Sequence, residues 1–121
     1  ELLGFQPLPP AYFAVLVPLV AIYLLAVELV KRWFFGLPDP ARFAALSAGQ
    51  AVAVAHVAEH GLGAAAYAIR ARMAAVARDQ AERARLAERD WQRARIPAPI
   101  RYLVLEDQKR RSPICWNVFD D

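Results

Sequence analysis

Threonine does not occur in this 121-residue chain, and cysteine and methionine occur once each. The single Cys115 excludes an internal disulfide and any Cys-based zinc site on this chain. Lysine is nearly missing too: Lys31 and Lys109 are the only lysines among 15 basic residues. That skew reads as a GC-rich coding sequence rather than as a functional signal. No Lys or Arg precedes the long apolar run and a basic pair follows it, so a secretory signal is not expected. Apart from Trp91, the arginines lack interleaved aromatics or a reader motif, so nucleic acid is not an expected partner. The apolar fraction is 58%, but much of it is one long run and much of the rest is alanine, so a sizeable soluble core is not expected. The first residue is Glu1 rather than Met, which gives the expectation of a fragment or a processed product.

What is present is a strong membrane signal. Of the twenty residues Ala11 to Val30, twelve are Leu, Ile, Val or Phe, favouring insertion by roughly 4 to 7 kcal/mol. Their one charge, Glu28, sits near an end, within reach of Lys31 and Arg32. Tyr12 and Trp33 would lie about 32 Å apart along a helix, close to the thickness of a bilayer core. A transmembrane helix over about 11–33 is therefore expected. The basic pair after it puts the carboxyl end in the cytoplasm. Pro18 should kink the helix and free a carbonyl near Ala14. Ala14, Pro18 and Ala21 share a face; they either admit another transmembrane helix or reflect the abundance of alanine.

The first ten residues, ELLGFQPLPP, hold three prolines and read as an external loop. Here a resemblance enters. Leu2 to Phe34, LLGFQPLPPAYFAVLVPLVAIYLLAVELVKRWF, resembles the last transmembrane segment of bacterial magnesium-transporting P-type ATPases. It rests on Leu3, Gly4, Phe5, Pro7, Leu8, Pro9, Tyr12 and Phe13, and on Glu28 through Arg32 at the exit. The resemblance implies a bacterial inner membrane and a last helix running from outside to inside, packed against other helices of a transporter. The family's phosphorylated Asp motif and nucleotide-binding domain lie upstream of such a helix. No catalytic or cofactor-binding residue is therefore expected on this chain. The function expected is that of a carboxyl-terminal fragment of a magnesium-translocating ATPase with a cytoplasmic tail. The alternative is a small single-span accessory subunit of a larger membrane complex.

Beyond the span, Gly36, Pro38 and Pro40 make a break, and Asp39-Pro40 is a start signal for a helix over about 40–60. Gly61 and Gly63 should stop it. A second crossing over 43–69 is not expected, because His56, Glu59 and His60 would lie at its centre. The next segment, Ala64 to Arg95, reads as one helix, with Ile69, Met73, Val76, Gln80, Ala84, Ala87 and Trp91 on a weak apolar seam. Asp79 with Arg83 and Arg78 with Glu82 are supportive pairs at helical spacing. Residues 36–96 should thus be a helical hairpin or one long helix. Pro97 and Pro99 close it, Ile100 to Leu105 reads as an extended segment, and 97–121 is expected to be loosely ordered. The fold class expected is all-α.

Two constellations could carry chemistry. His56, Glu59 and His60 spell His-x-x-Glu-His; on a helix the two rings would lie one turn apart and could share a metal, with Glu59 as base. The bland reading is the polar face of an amphipathic helix. Residues 70–101 carry nine arginines against four acids. They form either a solvated face or a contact with anionic lipid.

Overall fold

Pro9 and Pro10 begin what can be described: the computed structural model describes residues 9–121, so most of the Pro-rich stretch expected before the first helix lies outside the described residues. The chain is all-α, with no strand among those residues. It forms two compact units, 1–36 and 37–121.

The first unit is helix α1, Pro10–Phe35. Proline opens it because its fixed φ suits a first turn and its missing N–H would have no partner there. The helix runs unbroken through Pro18 and ends at Gly36, whose N–H bonds the carbonyls of Arg32 (3.1 Å) and Trp33 (3.2 Å). None of its residues is buried, and it is long and apolar enough to cross a membrane.

The second unit begins with α2, Asp39–Ala53, and α3, His60–Ala74. The two run antiparallel: Phe43 stacks near Tyr67, Ser47 Oγ donates to the Ala64 carbonyl (2.8 Å), and His60 bonds Gln50. Gly63 permits the close approach, since a Cβ there would lie 3.0 Å from Gln50 Oε1. The glycines therefore do not stop α2. It ends at Ala53, residues 54–59 turn, and Gly61 and Gly63 lie inside α3, where at Gly63 the lack of a side chain serves the contact with Gln50 of α2.

The single helix expected over 64–95 is instead two. Helix α3 stops at Ala74, Ala77 is extended, a 3₁₀ turn covers Arg78–Gln80, and α4 runs Ala81–Ala94. Neither glycine nor proline marks the break. The turn brings α4 back along α3, with Gln92 Nε2 donating to the Ala65 carbonyl (3.3 Å) and Arg72 facing Glu88 (3.7 Å). The expected apolar seam is not what this buries: Ile69 is buried, but Val76, Gln80, Ala87 and Trp91 stay exposed, and the residues α4 buries are Arg85 and Arg89. The break also falls across the expected Arg78–Glu82 pair, and Glu82 bonds Arg85 instead.

Ile100 to Leu105, expected to be extended, lies in α5, Ala98–Arg111. A lone strand has no ladder partner here, while a helix satisfies its own backbone. Pro99 sits in the first turn, three basic residues close the last one, and Arg101 Nη2 donates to the Arg93 carbonyl (3.0 Å) at the free end of α4. The residues after it are not loose. A short 3₁₀ turn, Ser112–Cys115, leads into Trp116 and Asn117, both at positive φ (57° and 56°), and the chain reverses. That reversal delivers Val118 and Phe119, each 2% exposed, onto Ala66 and Ile69 of α3. Together with Cys115 these make the core, flanked by Leu62, Ala65 and Met73.

Candidate functional site

Three features of the second unit are built from side chains that the sequence alone leaves scattered. The first is a clasp. Arg85, Arg89 and Arg93 recur every fourth residue on α4 and share one face. Arg85 Nη1 donates to the carbonyls of Val118 (2.9 Å) and Asp120 (2.7 Å), Arg89 donates to the Asp120 carbonyl, and Arg93 Nη2 donates to the Phe119 carbonyl (2.7 Å). Arg93 also meets Asp121 (3.0 Å) and Gln108 (3.1 Å). Arg85 and Arg89 are buried, although their sequence context suggests a solvated face. Three of the nine arginines thus grip the tail, which takes them away from any lipid-facing surface.

Charge in the clasp is matched. The hydrogen bond from Arg85 holds the Glu82 carboxyl below its ordinary range, and Glu82 in turn raises Arg85. Arg93 does the same to Asp121, and Arg110 to Asp107. A carboxylate with a lowered folded pKa adds stability that is present above its unfolded value and is lost as pH falls through the folded one. The thermal midpoint should therefore stay level from pH 7 to 5 and fall below about pH 4. A midpoint unchanged at pH 3, followed by circular dichroism, would contradict this. Burial pushes the Cys115 thiol upward, which keeps it in its unreactive neutral form.

The second feature is a groove of about 600 Å³ between α3 and α5. Leu62, Ala65, Ile96, Ile100 and Leu103 supply its apolar lining, and Glu59, Asp107, Arg110 and Arg111 its charges. Those charges are chained: Glu59 meets Arg111 (3.7 Å), Arg111 meets Asp107 (2.8 Å), and Asp107 meets Arg110 (2.8 Å). Leu103 is 66% exposed and Ile100 47%, so apolar surface here faces water.

The third is a column of rings around Arg70. Its guanidinium carbon lies 4.2 Å from the centre of the Phe43 ring and 4.3 Å from that of Trp116. Tyr67 is tilted against Trp116, their centres 5.1 Å apart.

The residues singled out from sequence do not gather. His56 lies in the 54–59 turn, so the helix that would hold His56 and His60 one turn apart is absent. His60 Nδ1 is 2.5 Å from Gln50 Oε1, and Glu59 faces Arg111. Among the described residues no group of three or more His, Cys, Asp and Glu could hold a metal ion. Sequence reading missed the groove because α5 reads as extended, and missed the clasp because its carbonyl partners lie far along the chain. Only the four-residue spacing of Arg85, Arg89 and Arg93 gave any sign of a shared face.

The family described as Imm-5 like putative immunity protein matches residues 37–99, just over half of the chain. No curated protein and no solved structure matches it. The family match overturns the function expected from the first thirty-four residues. Residues 37–99 match an immunity-protein family and not the tail of a magnesium-translocating P-type ATPase, and the match lends no support to a single-span accessory subunit. Magnesium transport is withdrawn with that expectation. The match begins at residue 37 and does not touch the stretch on which the transporter resemblance rests.

Proposed function

This chain belongs to the Imm-5 like immunity protein family, and on that premise we propose that residues 37–121 bind a protein toxin and block it by occupancy, without turnover. The family match is the observation that carries the proposal. The groove between α3 and α5 is the contact surface that the geometry favours. An apolar centre with a charged border is the anatomy of a protein–protein interface. Its border is already fixed by the Glu59–Arg111–Asp107–Arg110 chain, so little side-chain freedom is lost on binding. Ile100 and Leu103 would be the side chains covered by the toxin.

In the same reading α1 anchors this unit to the inner membrane, with the carboxyl end in the cytoplasm. Its length and apolar surface support the anchor, and Lys31 and Arg32 support the direction. Carbonate-washed membranes should retain the full chain; recovery in the soluble fraction would end the anchor reading.

The functional test is protection. Cells arrested by a protein toxin from the source genome should resume growth when the full chain is co-expressed, and failure to protect against every such toxin would sink the proposal. A Leu103→Asp variant should lose protection while keeping its helical content, because the side chain is largely in solvent and a charge there opposes apolar contact. Undiminished protection by that variant would remove the groove as the contact surface.

A further inference from the structure

A second, shallow and open hollow, of about 340 Å³, is lined by α2, α3 and the start of α4, and shares no residue with the groove. Its walls are Phe43, Met73 and Val76, with Ala74 and Ala81, and its only charged lining residues are Arg70 and Arg78. Neither arginine forms an ion pair among the described residues, whereas Arg42, which also touches Phe43, is already matched by Asp39.

Arg70 is held in an unusual way. Phe43 and Trp116 lie over its guanidinium within 4.3 Å, and Tyr67 braces Trp116. Stacking occupies the faces of a guanidinium and leaves its N–H groups directed outward in the plane. It also fixes a side chain that would otherwise lose rotamer freedom on binding. Trp116 reaches this position through a left-handed backbone conformation, which a bulky residue adopts at an energetic cost. A strained turn thus delivers a ring to a cation that has no counter-ion.

We propose that this hollow binds a carboxylate on an apolar stem, presented by an acidic segment of a partner protein. The planar N–H fork of Arg70 suits the two oxygens of a carboxylate. Arg78 adds a second positive charge, and Phe43, Met73 and Val76 cover the methylene stem, which a bare inorganic anion would leave wet. That the partner is the toxin rests on the function proposed above; the anion chemistry does not.

The test uses the full chain in phosphatidylcholine nanodiscs, titrated with the capped peptide Phe-Glu-Glu-Leu, with Phe-Gln-Gln-Leu, and with inorganic phosphate. The acidic peptide should shift the Trp116 indole N–H and Arg70 Nε–H resonances saturably, and the Gln peptide should bind at least about tenfold more weakly. Arg70→Gln and Arg78→Gln should each cost the acidic peptide a similar factor. Arg70→Lys, which keeps the charge and loses the fork, should recover little of it. Arg78 is exposed, so its variant should unfold at the wild-type denaturant midpoint. The proposal is overturned if the acidic peptide gives no saturable shift, if the Gln peptide binds equally well, if both Gln variants bind unchanged, or if phosphate binds in preference to the peptide. No peptide binding by the unmodified chain, with toxin protection intact, removes this site alone; peptide binding without protection removes only the function reading.

Discussion

Replacing Phe119 by alanine should destabilise the second unit by about 3–5 kcal/mol. The side chain is 2% exposed and packs with Val118 and Cys115 against Ala66 and Ile69. That core is small. Ala66 contributes only a methyl group, and Phe119 is its largest member, so the space it leaves is large relative to the core. Domains of this size are stable by roughly 5–15 kcal/mol, so the loss is a large share of the total. The readout is the urea midpoint, which should fall with little change in slope. A loss below about 1 kcal/mol would mean that the tail does not carry the core. The consequence reaches function: residues 118 and 119 lie outside the family match of 37–99, yet the matched helices cannot bury Ile69 without them.

The second large effect is expected at Arg85. Arg85→Ala removes hydrogen bonds to the carbonyls of Val118 and Asp120 and to the carboxylate of Glu82. The Val118 bond is buried, so its carbonyl is left without a partner or must open to water. Glu82 is well exposed and can return to solvent, which limits its share. Arg89 still reaches Asp120. The net loss should be about 2–3 kcal/mol, again by urea unfolding. Arg85→Lys should recover only part, because one ammonium cannot span the two carbonyls and Glu82 together as a fork does. Full recovery by lysine would show that charge alone, and not the fork, secures the tail.

Both predictions concern residues whose roles cannot be read locally. Arg85 looks like any other arginine on an alanine-rich helix, with Glu82 at a supportive spacing. Its deciding partners are carbonyls 33 and 35 residues away. Backbone oxygens carry no sequence signature, so nothing in the pattern 78–95 foretells a buried guanidinium. The aromatic column is similar: Phe43, Tyr67, Arg70 and Trp116 are widely separated, and a turn with two left-handed residues brings the last of them into place. The groove was hidden for another reason. Ile100 to Leu105 has the side chains of a strand, but without a neighbouring strand a helix is the only way to satisfy its backbone.

The sequence by itself determined whatever depends on near neighbours. Its long apolar run and Pro10 specify α1, Gly36 ends it, Asp39 and Pro40 open α2, and Pro97 and Pro99 separate α4 from α5. Prolines and runs of apolar residues act within a turn or two of themselves, so these boundaries are written locally, as is the all-α class. Tertiary structure decided the rest. It broke Ala64–Arg95 at a place with neither glycine nor proline, because a folded-back α4 brings Arg85, Arg89 and Arg93 onto the carbonyls of the carboxyl-terminal residues. It drew Cys115, Val118 and Phe119 from a tail into the core, because the alanine-rich hairpin has too little apolar volume to bury Ile69 alone. It also divided the arginines into those that grip backbone, those chained along the groove, and one that stands between two rings. Charge and composition are identical for all of them; what differs is which groups the fold brings within reach.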